Sequence, residues 1–166
     1  MVASEGQVGG GTAATGGASG SAEPGLVVVG FDGSPSATAA LEWAARYAAL
    51  TGARLRAVSA WGYPNTLGYP IVYGNENFEE TARNTLHEAI GRVLVAHPGL
   101  VAEELVAEGT AIEVLLQEAK GASLLVVGSR GHGGFVGMLL GSVSAHAVHH
   151  AHCPVVVVRA IDDEAG

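Results

Sequence analysis

Val126-Val127-Gly128-Ser129-Arg130-Gly131-His132-Gly133-Gly134, followed by Gly141-Ser142, leads from an apolar, β-branched run through glycines into a helix. A buried strand, a glycine-rich turn and a helix N-terminus are what a protein needs to hold phosphate with its backbone. Glycine lets a chain reach positive φ and come close to a ligand. Consecutive N–H groups in such a turn form an anion nest, and a following helix adds unpaired N–H groups and the positive end of its dipole. Without a ligand, the same residues make a tight turn and a helix cap.

Outward from this stretch, the pattern repeats. Leu26-Val27-Val28-Val29-Gly30-Phe31 is a continuous apolar run that stops at Asp32-Gly33-Ser34-Pro35. Runs of this kind suit strands buried on both faces of a parallel sheet. Ser34 suits a helix N-cap with Pro35 at the first position. Ala40, Leu41, Ala44 and Ala48 then recur at helical spacing up to Gly52. Residues 55–61 read as a second strand, and Phe78 to Val93 as a second helix ending near His97-Pro98. Residues 100–107 supply a third strand, and Thr110 caps a third helix bearing Ile112, Leu115, Leu116 and Ala119. Residues 124–128 form a fourth strand, Gly141 opens a helix to about His152, and Val155-Val156-Val157-Val158 is a fifth strand. Alternating strands and helices imply an α/β fold with an open parallel sheet and right-handed crossovers. Ligands bind such sheets at the carboxyl ends of strands, so Asp32 and the loop from Gly128 onward are expected to face one crevice.

The organisation is one domain, residues 25–160, between a Gly/Ala/Ser-rich disordered tail (1–24) and an acidic tail (161–166). Residues 62–75 form a long loop with two prolines, the length of a lid or a partner surface. A net charge of -8 argues against nucleic acid, which recruits clustered cations. Lys120 is the sole lysine, so lysine-based phosphate grips have almost no candidate. No apolar run approaches the ~20 residues of a membrane span. No signal peptide is evident, and the single cysteine, Cys153, suits a reducing cytoplasm.

Rival motifs fail. There is no Gly-Lys-Ser/Thr of a Walker A loop, no Gly-x-Gly-x-x-Gly after the first strand, and no Gly-x-Ser-x-Gly elbow. His146 and His150 are four apart, a spacing zinc sites use, but no third ligand accompanies them and no metal site is expected. Cys153 reads as a small buried residue. Asp32 suits either an Asx turn beside Gly33 or a ligand contact. Arg130 suits either a phosphate or the open surface.

The spacing Gly128-x2-Gly131-x9-Gly141-Ser142 resembles the ATP-binding signature of the universal stress protein family. Val28-Val29-Gly30-Phe31-Asp32-Gly33-Ser34 is similar to that family's opening strand and acidic turn, and His152-Cys153-Pro154 with residues 155–159 to its closing strand. The resemblance covers residues 25–160. It implies a five-stranded parallel sheet in the order 3-2-1-4-5, helices on both faces, and a Rossmann-like site for an adenine nucleotide. By the same resemblance, Asp32 contacts the nucleoside and Val58 lies by the adenine. Val127 and Gly128 line base and ribose, while Gly131, Gly141, Ser142 and Val143 hold the phosphates. The implied cofactor is ATP, with or without Mg2+, and the implied assembly a homodimer through the last strand. The expected function is an ATP-binding regulatory module of the stress response, with an unidentified protein partner. The alternatives are a slow ATPase or phosphotransfer or adenylating enzyme acting through Asp32 or His132, a binder of AMP or a cyclic nucleotide, or a fold stabilised by its nucleotide.

Overall fold

A computed structural model describes residues 24–62, 77–132 and 139–160. The two expected tails and the 62–75 loop lie outside these residues except at their edges. The elements run β1 (Leu26–Gly30), α1 (Pro35–Thr51), β2 (Arg54–Trp61), α2 (Phe78–Ala96), β3 (Ala102–Glu108), α3 (Ala111–Glu118), β4 (Leu124–Gly128), α4 (Ser142–His150) and β5 (Val155–Val158). All pairings are parallel, and the strand order is β3-β2-β1-β4-β5.

Successive side chains of a strand point to opposite faces, and β1 shows both being covered. Val27, Val29 and Phe31 pack with α1 and α2, through Ala40, Ala44, Leu86 and Ile90. Val28 packs with α3 and α4, through Leu115, Ala119 and Ala147. The alanine stripe of α1 puts no bulk between helix and sheet. Ser34 caps α1 by accepting the Ala37 N–H at 3.2 Å, and Gly52 ends it at φ 72°, a left-handed position that suits glycine.

Boundaries differ from expectation at β2, β3 and α4. β2 begins at Arg54, whose N–H reaches the Gly25 oxygen. β3 begins at Ala102 rather than at residue 100, because the chain is still turning: Leu100 N–H bonds to His97 O, and Gly99 sits at φ 93°. It runs on to Glu108 because Trp61 still pairs there. α4 stops at His150, short of His152, with Ala151 already extended ahead of Pro154.

Arg56 ties β2 to β3 and α3, with Nη2 2.8 Å from Glu103 and Nη1 3.0 Å from Glu118. The hydrogen bond to Glu103 is the main cause that holds its guanidinium above its usual pKa, against the opposing effect of burial. Cys153 is half-buried, and burial pushes its thiol pKa up. The neutral thiol is therefore favoured in the fold, and its contribution is lost as pH rises through the thiol range. Iodoacetamide at pH 8, followed by mass spectrometry, is expected to label Cys153 more slowly in the native protein than in urea. Equal rates would contradict this environment.

Candidate functional site

The carboxyl ends of β1, β2 and β4 open into a cleft of about 360 Å³, bounded by the N-termini of α1 and α4. Its floor is apolar: Val58, Val127 and Leu115 are 1%, 2% and 4% exposed. Asp32, Arg130, Gly131 and Ser142 form its exposed rim. All nine residues singled out from the sequence, Asp32, Val58, Val127, Gly128, Arg130, Gly131, Gly141, Ser142 and Val143, line this one cavity.

Serines set the rim. Asp32 Oδ1 accepts the Ser34 N–H at 2.9 Å, an Asx turn, one of the two readings its sequence position allows, beside Gly33 at φ 83°. The Ser36 hydroxyl donates to the Arg130 main-chain oxygen and accepts the Arg130 N–H at 3.3 Å. Ser34 Oγ approaches the same oxygen at 3.4 Å. The first turn of α1 therefore holds the backbone leaving β4. Across the loop, Gly141 N–H donates to Ser129 O at 2.7 Å, and Ser144 Oγ donates to that oxygen at 3.0 Å. These bonds bring Gly141 alongside Arg130 and Gly131.

The helix caps are unequal. Ser34, Asn77 and Thr110 cap α1, α2 and α3 with side-chain oxygens. α4 has Gly141 at its N-cap and no side-chain cap. The first N–H groups of any helix have no intrahelical partner. In α4, whose first helical bond runs from Ala145 N–H to Gly141 O, these belong to Ser142, Val143 and Ser144, all of which line the cleft. The result is an apolar slot whose rim carries both a positive helix end and a carboxylate.

A family model described as the universal stress protein family matches residues 26–159. The chain belongs to the universal stress protein family. It is 40% identical over 133 residues to a universal stress protein of Mycolicibacterium smegmatis, covering 80% of this chain and 45% of that relative. It thus spans about half the length of the curated relatives it matches. Among solved structures it is similar to a universal stress protein in complex with cAMP, with 30% identity, a TM-score of 0.65, and coverage of 84% of this chain and 99% of the other. A universal stress protein family member from Arabidopsis thaliana with AMP bound shares the fold, at 24% identity and a TM-score of 0.59, over 86% of this chain and 96% of the other.

The glycines of this universal stress protein domain act differently from expectation. Gly33 has a positive φ, but Gly128, Gly131 and Gly141 do not. Their reason is closeness. A Cβ on Gly128 would stand 2.7 Å from the Ser36 carbonyl carbon and 2.8 Å from the Ala37 nitrogen. A Cβ on Gly131 would stand 2.6 Å from Asp32 Oδ2, the movable end of a side chain. One on Gly141 would meet nothing nearer than the Arg130 Cα at 3.4 Å, an ordinary contact. Gly141→Ala is therefore expected to change stability by no more than about 0.5 kcal/mol. A urea titration checks this, and a large loss would show hidden crowding at the α4 cap.

Leu115 and Ala60 also line the cleft, and Ser36 braces its rim from behind. Sequence periodicity marks Leu115 only as a core residue of α3; that α3 lies against Gly30 and Val58 is a tertiary fact. The two side chains considered for catalysis are already engaged. His132 Nε2 donates to the Asp32 main-chain oxygen at 2.9 Å, and the Asp32 carboxylate holds Ser34. Among the described residues, no group of three or more metal-ligating side chains is assembled, and no helix is long and apolar enough to cross a membrane.

Proposed function

We propose that this chain is an adenine-nucleotide-binding module that holds ATP in the cleft and acts as a regulatory switch in a stress response. The observation that carries this is an uncapped N-terminus of α4 and the Asp32 carboxylate on the rim of one apolar-floored cleft. The cavity, about 360 Å³, falls within the range of small-molecule sites. The adenine lies against Val58 and Val127, the ribose by Asp32 and Gly128, and the phosphates at Gly131, Gly141, Ser142 and Val143. Arg130 adds a guanidinium at the phosphate end. This arrangement neutralises the phosphates with backbone N–H groups rather than with lysine. Mg2+ would accompany the phosphates of ATP. The cAMP and AMP complexes of similar proteins support an adenine nucleotide as the ligand class.

The acting unit is residues 25–160, in the cytoplasm, as a homodimer joined along β5. Among the described residues that strand pairs only with β4, and it leaves Val155, Val156, Val157 and Val158 half-buried at the sheet edge. An edge of this kind is a ready template for a second strand. Regulation follows if the nucleotide binds one arrangement of the rim better than another. Protein purified without added nucleotide, denatured, and analysed by mass spectrometry tests the ligand. Release of ATP supports the proposal. Release of AMP or a cyclic nucleotide keeps the site and changes the signal. Release of a guanine nucleotide alone would overturn the adenine assignment.

A further inference from the structure

Four histidines, His146, His149, His150 and His152, lie in and just beyond the second half of α4, and none of them lines the cleft. His146 and His150 stand one helical turn apart. Their ring centroids are 5.9 Å apart, with planes inclined by 31°, and both side chains are exposed. His146 Nδ1 lies 2.8 Å from the main-chain oxygen of Ser142. A carbonyl only accepts, so Nδ1 carries the proton and Nε2, across the ring, keeps its lone pair. Metal-ligating histidines are oriented in this way, the second nitrogen donating to a backbone carbonyl. Among the described residues, no hydrogen bond engages the His150 ring, and both its nitrogens are available.

We propose that His146 and His150 form a two-imidazole chelate for a borderline divalent ion of the Cu2+, Ni2+ and Zn2+ class, with water completing the coordination. Two nitrogens bound at about 2.0–2.1 Å to one ion stand roughly 3 Å apart. The two rings, with centroids 5.9 Å apart, stand on one helical face at the i, i+4 spacing by which helical histidines bind a single ion. His149 is the neighbour that does not take part. Its ring lies 6.4 Å from that of His150 at an inclination of 48°, from the next position along the helix. Adjacent helical positions point about a quarter turn apart and do not face each other. Only the helical backbone brings His146 and His150 together, so the ion stabilises α4 by binding its folded form. The site stands on α4 geometry alone and does not depend on what the cleft holds.

The test is a Cu2+ titration of the tag-free full-length protein, read by calorimetry and electron paramagnetic resonance. The expected result is one ion per chain with couplings from two imidazole nitrogens, and weaker binding of Ni2+ and Zn2+. His146→Ala and His150→Ala should each weaken binding by on the order of tenfold or more, while His149→Ala and His152→Ala leave it unchanged. Alanine at exposed helical positions raises helix propensity, and circular dichroism confirms that each variant is folded. Affinity that survives loss of both His146 and His150, an equal loss in His149→Ala, a single-nitrogen spectrum, or no binding at all would each overturn the proposal.

Discussion

Gly128→Ala is expected to destabilise the domain by about 1–3 kcal/mol, the range for forcing an extra methyl into a packed site. The added Cβ would fall 2.7–2.8 Å from main-chain atoms of Ser36 and Ala37. Main chain at the start of a helix has no rotamer to change. Relief requires α1 to move off β4, and that breaks the two-way bond between Ser36 and Arg130 that sets the rim. The damage therefore reaches the cleft through the fold. Urea denaturation read by circular dichroism measures it, and the contrast with Gly141→Ala gives the comparison its force. Two glycines of one motif should differ sharply. An unchanged midpoint for Gly128→Ala would mean that β4 and α1 are not as close as described.

Ser142→Asp separates binding from folding. Ser142 is exposed at the first position of α4, where a carboxylate interacts favourably with the helix dipole. The fold should gain about 0.3–1 kcal/mol. The same carboxylate occupies the end of the cleft where the phosphates are proposed to lie. Like charges about 4 Å apart at a protein surface repel by about 1–4 kcal/mol, so ATP affinity should fall by roughly fivefold to a thousandfold. Thermal denaturation without ligand and calorimetry with ATP check the two halves. A stabilised protein that binds ATP as before would move the phosphates away from α4.

α1 was the most legible part of the fold. Ser34, Pro35 and Gly52 mark its ends by local chemistry, and each performs the expected role. The valine runs of β1 and β4 were equally plain, because burial on both faces leaves no polar alternation to misread. The strand order came from the family resemblance; local pattern cannot order parallel strands. Boundaries were less legible where partners decide them, as at β3, whose start and end follow its pairing with β2. The nine candidate residues share one cleft, yet the reason for the glycines is not local. Gly128 is small because Ser36, 92 positions earlier in the chain, crosses it. Leu115 forms part of the floor because α3 lies across β1 and β2, which periodicity does not encode.

The most direct test of the central claim is calorimetric titration of ATP into the protein after its nucleotide has been removed, beside Ser142→Asp. The account predicts about one ATP per chain for the parent protein, and binding severely weakened in a variant that remains folded. No heat from the parent with ATP, AMP or cAMP, or equal affinity in the two proteins, would contradict a phosphate site at the N-terminus of α4.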